Sequence, residues 1–341
     1  MTGKARILAV LDGRPAEADR LPVMPITMMF AADTAGVPYR AYATDGRTLA
    51  EAQLRTAETY GFDYVSAISD PAREAADLGA AIEWFADQPP AIVESRALLQ
   101  EKSRLAGLRL PDLAAGRMGD RVAAIRHLKA AAGDDLLVEG WVEGPCAMAA
   151  DLRGLSALML DFSDDPGFVA DLFAFVIDME IAFAKAQLAA GADLIGVGDA
   201  AASLVGPRIY DRFVKEGERR LIGAIRAAGG RARLHICGNT RKVLAGMGTV
   251  GADLVDLDSP SPMAEGRAAM GPGQALLGNI DPVRVLRDGT PESVTAALQA
   301  CFDAAGPRYV VGAGCEVPRG TPPANVRALV EFARSRRAVA P

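Results

Sequence analysis

The sequence predicts an α/β fold: a (β/α)8 TIM barrel with an N-terminal helical extension (1–20) and a helical insertion between its second and third strands. Three observations point there. Eight short apolar runs alternate with helical stretches almost from end to end. The runs are continuous rather than alternating, as in strands covered on both faces. Polar residues stand at the C-terminal ends of the runs, which a barrel brings to one rim. A doubly wound open sheet is the competing topology, but no G-x-G-x-x-G turn follows the first run to support dinucleotide binding.

The elements read in order as follows. The opening MTGKARILAVLDGR has an apolar patch cut by Asp12, too brief for the core of a signal peptide. The first two strands are PVMPITMMF (22–30) and FDYVSAIS (62–69), the second followed by a helix around PAREAADLGAAIEWF. Residues 86–133 form a charged excursion with helices in AIVESRALLQEKSRL and GDRVAAIRHLKAAAG. DLLVEGWV (135–142) and DLIGVGD (193–199) flank the longest helix, opened by Pro166 and closed by Gly191. A second such helix runs from Pro207 to Gly229-Gly230. The last strands are RARLHI (231–236), DLVDLD (253–258), ALLGNI (275–280) and RYVVGAG (308–314). TPESVTAALQACFDAAG and TPPANVRALVEFARSRR each begin with a Thr cap and a Pro. No repeat or low-complexity linker divides the chain, so residues 1–341 read as one domain.

Bulk properties narrow the function classes. A net charge of −6 over 341 residues argues against a general nucleic-acid binder. The basic residues Arg334, Arg336 and Arg337 read as a solvated helix end. No apolar stretch approaches the ~20 residues that span a bilayer. Four cysteines make no disulfide framework at this length. The reading is a soluble, cytoplasmic protein in a reducing compartment. A homo-oligomer is compatible with it.

The chain has two histidines, and one sits in LHICGN, two residues before a cysteine. His235 and Cys237 close the fifth strand, and Cys315 follows the eighth in GAGCEVP. Zinc suits this set, since it takes Cys sulfur and His nitrogen in a tetrahedron, and catalytic sites keep one position open. Two thiolates and a neutral imidazole leave Zn²⁺ formally neutral, which favours activation of a thiol over hydrolysis. The bland alternative is core packing, because a lone H-x-C is a weak signal and Cys is among the most buried residues. Cys146 and Cys301 read as packed residues and His127 as a surface residue. The other rim candidates are Asp70, Glu143, Asp199, Asp256, Asp258, Asn279, Asp281 and Glu316.

LHICGNT, DLVDLDS, GNIDPVRVLRDGTPESV and VVGAGCEVPRGTPPANV together resemble the uroporphyrinogen decarboxylase superfamily. More narrowly, they resemble its zinc-dependent corrinoid methyltransferase branch, which includes methylcobamide:coenzyme M methyltransferases. RILAVLDGRPAEADRLPVMP, SDPAREAADLG and GPCAMAADLRG fit the same superfamily, so the resemblance covers essentially the whole chain. It implies a (β/α)8 barrel, methyl transfer from a methylcorrinoid to a small acceptor (a thiol such as coenzyme M, or tetrahydrofolate), and zinc on His235, Cys237 and Cys315. The corrinoid would come on a partner protein in trans, since the chain has no D-x-H-x-x-G motif to ligate cobalt. Asp70 and Asp199 are the acid/base or substrate-orienting candidates. Asn239 and Asn279 are the candidates for cofactor contact.

Two other functions are weighed against this. A metal-free decarboxylase of the same superfamily would need basic residues for a polycarboxylate, and none occurs from Leu21 to Tyr39. Asp70, in SDP, does resemble that enzyme's catalytic aspartate. A catalytically silent barrel that binds a corrinoid or a partner protein is the third reading.

Overall fold

The computed structural model describes residues 1–336; Arg337 lies outside the described residues. Among the described residues nine strands occur in chain order: β1 (Tyr64–Ser66), β2 (Ile82–Glu83), β3 (Ala91–Ile92), β4 (Leu137–Glu143), β5 (Leu194–Gly198), β6 (Arg231–Ile236), β7 (Leu254–Leu257), β8 (Ala275–Leu277) and β9 (Tyr309–Val310). Seven of them form one parallel sheet in the order β1-β4-β5-β6-β7-β8-β9. The order follows the chain, and helices cross between consecutive strands, as in a β/α barrel.

The eighth expected strand, 22–30, is a correction. Only Val23 bridges in parallel, to Val311, and a helix already begins at Met29. Pro22 and Pro25 lack the N–H that a ladder needs. The short segment still joins the two sheet edges. Met24 N donates to Val311 O at 2.9 Å, Val311 N to Pro22 O at 2.8 Å, and Asp63 N to Val23 O at 3.1 Å.

Side chains alternate in and out along each strand. Val138, Val142, Ile195, Val197, Leu234, Ile236, Val255 and Leu257 face outward into the main core with the helices. The inward set is layered. Tyr64, Leu137, Leu194 and Leu254 pack with Ile7, Val10 and Leu11, so the helix Gly3–Leu11 plugs one end of the barrel. Above them, Arg233 bonds Glu139 at 3.1 Å and Asp256 at 2.6 Å, all three fully buried. Above that, Trp141, Ile26 and Ile68 form a small apolar cluster. A Cβ on Gly196 would overlap the Trp141 ring, which explains a glycine inside a strand.

The insertion differs from expectation in part. Its helix Gly116–Ala132 is present, with His127 exposed on it. Residues 91–105 are not a helix: they form β3, paired antiparallel with β2, and two 3-10 turns. Neighbouring backbone captures this stretch, with Val93 N on Ala81 O at 2.8 Å and Leu99 N on Leu152 O at 2.9 Å. The helix after β1 is also short, Arg73–Asp77, because Gly79 turns left-handed at φ +94°. The long helices Pro166–Ala189 and Pro291–Ala305 match the reading, and Thr290 caps the second. Thr321 does not cap the helix Pro323–Arg334; its hydroxyl donates to Pro318 O at 2.7 Å instead. No helix among the described residues is long and apolar enough to cross a membrane.

Candidate metal centre

His235, next to last in β6, points inward, and Cys237 follows two residues later on the same side. Cys315 comes from the loop after β9. His235 Nε2 lies 3.1 Å from Cys237 Sγ, and the two sulfurs are 3.9 Å apart. All three donor atoms lie within 4.8 Å of one another. Among the described residues they form the one group of three or more His, Cys, Asp or Glu side chains disposed to hold a metal ion.

The loops that carry the cysteines are braced by Asp258, just past β7. Its Oδ2 accepts from Gly238 N at 2.6 Å and its Oδ1 from Ser259 N at 2.6 Å. Gly238 adopts φ +86°, which suits glycine in this tight turn. Gly314 passes so close to this loop that an added Cβ would overlap Ser259 N and lie 3.0 Å from Asp258 Oδ1.

Electrostatics fit a cation. The Cys237 thiol is held up by its contact with Cys315, and that contact pulls Cys315 well below the usual thiol range. Burial disfavours a charged His235, but Cys237 and Asp256 more than offset it and raise its pKa. His235 Nδ1 lies 3.0 Å from Asp256 Oδ2. Burial likewise opposes the Asp256 carboxylate, yet Arg233 and His235 hold it below its ordinary value.

Two cavities open on this centre. The inner one, about 150 Å³, is lined by His235, Cys237, Cys315, Trp141, Met28 and Asp70 among others. The outer one, about 530 Å³, shares Pro71, Glu143, Ala200 and Cys237 with it and reaches the exposed Leu155 and Leu204.

The other predicted residues are placed as follows. Asp70 lines the inner cavity, but Arg117 grips both its oxygens, at 2.9 and 2.5 Å. Asp199 is fully buried and lines neither cavity. Its oxygens accept from Ala147 N at 2.7 Å and Cys146 N at 3.4 Å, at the start of the helix Pro145–Arg153. Burial raises its pKa to about 6. Asn239 is exposed and bonds Arg241 N. Asn279 donates to Asp258 O and Ser261 O at 3.1 and 2.6 Å, bracing the loop beneath Cys315. Neither Asn lines a cavity. Cys146 is buried outside the metal group, and Cys301 sits mid-helix with its thiol on Asn279.

Sequence reasoning did not single out Arg233 or Arg117. Arg233 had a signal: a charge inside an apolar strand, two residues before His235 and so on the same face. Arg117 had none, since only the folded insertion brings it to Asp70.

A family model described as Uroporphyrinogen decarboxylase (URO-D) matches residues 2–336. The methylcobamide:CoM methyltransferase MtbA of Methanosarcina mazei is 29% identical over 345 residues, with 98% of each chain covered. A uroporphyrinogen decarboxylase of Nocardia farcinica is 32% identical over 239 residues, 65% of this chain and 66% of that one. A solved structure of a methyltransferase from Methanosarcina mazei superposes with TM-score 0.89 at 25% identity, covering 98% of both chains.

Proposed function

The chain belongs to the uroporphyrinogen decarboxylase family, and within it we propose a cytoplasmic, zinc-dependent methyltransferase that moves a methyl group from a methylcorrinoid, held by a separate protein, to a small thiol. The observation that carries this is the meeting of His235, Cys237 and Cys315 beneath a cavity. Full-length similarity to a methylcobamide:CoM methyltransferase supports it.

The donor set fits zinc. With Zn–S near 2.3 Å and Zn–N near 2.0–2.1 Å, a tetrahedron separates two sulfurs by about 3.8 Å and sulfur from nitrogen by about 3.5 Å. The observed 3.9 and 3.1 Å lie close to these. His235 would bind through Nε2, with Nδ1 steadied by Asp256, and the fourth position would face the inner cavity. Zn²⁺ there would supply the charge that favours the deprotonated, nucleophilic form of an incoming thiol.

The residues do the rest. The apolar wall of Met28, Ile26, Ile68 and Trp141 keeps water from the reacting sulfur. Arg117 fixes Asp70 as part of that wall, where it orients the acceptor rather than exchanging protons. The apolar rim at Leu155 and Leu204 suits the face of a corrinoid presented from outside. Asp199 holds the helix that carries Ala147, Ala150 and Asp151 of the outer wall.

A decarboxylase reading is poorly supported, since among the described residues no Lys or Arg lines either cavity to receive a polycarboxylate. Tetrahydrofolate as acceptor fits less well than a thiol, because sulfur-rich ligation matches thiol activation.

Zinc content and methylcobalamin turnover with thiols test the proposal together. The expected result is about one zinc per chain, with both zinc and turnover lost in Cys315→Ala while circular dichroism stays unchanged. Full turnover in Cys315→Ala would overturn it.

A further inference from the structure

The inner cavity opens where one strand lacks a side chain. In the parallel register, Glu143 of β4, Gly198 of β5 and His235 of β6 lie level with one another. All three stand on the inward face of the sheet and line the cavity. Glu143 and His235 fill their places. Gly198 leaves a slot between them.

Trp141, one inward position below Glu143, closes the slot from beneath. Its ring lies across β5. A Cβ on Gly196 would overlap the carbon edge of the ring, at Cε3 and Cζ3. A Cβ on Gly198 would lie 2.8 Å from Cζ2 and 3.0 Å from Nε1. The nitrogen edge is therefore the one at the level of the cavity, since Gly198 lines it and Gly196 does not. The ring is held in this pose. Trp141 N donates to Gln187 Oε1 and its carbonyl accepts from Gln187 Nε2, both at 2.9 Å. The Arg233 guanidinium lies 5.6 Å from the ring centre, and Ile26 and Ile68 pack against it.

The indole Nε1–H is a donor only, and a buried one usually finds an acceptor. Trp141 is 5% exposed, yet its Nε1 bonds no group among the described residues. Nor is it one of the enclosed polar atoms left without a partner, so it opens on the cavity. Among the described residues lining the inner cavity, only Trp141 and His235 carry a side-chain N–H, and His235 stands between Cys237 and Asp256. The carboxyls of this wall already have partners. Arg117 holds Asp70, and Arg73 lies 3.5 Å from Glu143. Glu316 accepts from Met28 N and Met29 N at 3.2 and 2.7 Å. Trp141 is the side-chain donor left over for a ligand.

Resting on the methyltransferase reading above, we infer that Trp141 is a specificity-determining residue: the thiol acceptor lies in the slot at Gly198, and its far end accepts a hydrogen bond from the Trp141 indole N–H. The sulfur points to His235, Cys237 and Cys315. A cavity of about 150 Å³ holds only a short thiol, being roughly five times the share of one water in the liquid. The far end must offer a lone pair, as a sulfonate, carboxylate or hydroxyl oxygen does. An ammonium offers none. A bare alkyl end would leave the N–H enclosed and unpaired. An anionic oxygen suits best, because hydrogen bonds to a charged partner are the stronger ones.

Two thiols of equal carbon number test this on the zinc-loaded protein with methylcobalamin as donor: 2-mercaptoethanesulfonate and ethanethiol, which has no polar far end. Each kcat/KM is divided by the uncatalysed rate for the same thiol. Wild type should favour the sulfonate, and equal use of both overturns the inference. Trp141→Phe keeps a ring and removes the N–H. It should lower kcat/KM for the sulfonate at least about tenfold, chiefly through KM, and leave ethanethiol within about twofold. A sulfonate value that does not move, or an equal fall for both thiols, overturns the role given to Trp141. If neither thiol is methylated, the methyltransferase reading falls, and calorimetric binding of the sulfonate to wild type and Trp141→Phe still decides: equal affinity overturns the inference. Should Trp141→Phe not fold, Trp84→Phe leaves Trp141 as the one tryptophan of the chain. Its emission maximum should move on adding the sulfonate and stay on adding ethanethiol; a maximum that moves with both, or with neither, overturns it.

Discussion

His235 stands between a sulfur and a carboxylate: its Nε2 is 3.1 Å from Cys237 Sγ, and its Nδ1 is 3.0 Å from Asp256 Oδ2. The two residues are register partners across β6 and β7, so sheet pairing itself sets the contact. The ring thus joins the candidate metal centre to the buried chain Asp256–Arg233–Glu139.

Removing the charge of Asp256 tests that link. Asp256→Asn should weaken zinc binding about 10- to 100-fold, the usual loss for a carboxylate behind a metal-binding histidine. Competition with a chromogenic chelator measures it. Unchanged affinity would mean that the sheet alone orients His235.

Gly314 is predicted to matter through space rather than chemistry. In Gly314→Ala the new methyl group meets Ser259 N and Asp258 Oδ1, so the loop that carries Cys315 must shift. Overpacking of this kind costs about 1–3 kcal/mol. Zinc affinity should fall with the melting temperature; a variant with wild-type zinc binding would show that the loop yields without moving Cys315.

Asp151 makes stability depend on pH with a definite sign. Its pKa is raised to about 8 in the folded chain, chiefly by burial and then by Glu74 and Asp70. The native state therefore holds this proton more tightly than the unfolded one. Its contribution is fully present below the unfolded pKa, near 4, and is lost as pH rises through about 8. Asp151→Asn should remove that loss, so the gap in unfolding free energy between variant and wild type, read by denaturant unfolding, should widen from pH 5 to pH 8, by no more than about 1.4 kcal/mol per pH unit. A gap that does not change with pH would mean that Asp151 ionises freely.

Asp199 should act on stability. Asp199→Ala leaves the Ala147 and Cys146 N–H groups without their acceptor, a loss of about 1–2 kcal/mol for a helix start. Denaturant unfolding measures it, and zinc content should hold. Loss of methyl transfer in a variant of full stability would instead give Asp199 a catalytic part.

The barrel was legible because its strands are short, apolar and regularly spaced by helices with clear Pro starts, such as Pro166 and Pro291. The misreadings share one cause. In 22–30 and 91–105 the local pattern was apolar enough for a regular element, but backbone partners elsewhere decided the outcome. Val311 took Met24, and Ala81 and Leu152 took Val93 and Leu99. Periodicity within a segment carries no record of such partners.

The sequence by itself determined the candidate ligand set: a histidine and a cysteine on one strand end, and a second cysteine after a later strand, which a barrel brings to one rim. Only the tertiary structure decided what surrounds them. Asp70 and Asp199 look alike as aspartates beyond strand ends, yet Arg117 ties one into the cavity wall and a helix start buries the other. Glu143 lines the outer cavity with Arg73 on one oxygen, and Asp151 lines the same wall with its buried Oδ2 unpartnered among the described residues. Burial and pairing depend on what the rest of the chain packs nearby, and no residue type or spacing encodes that on its own.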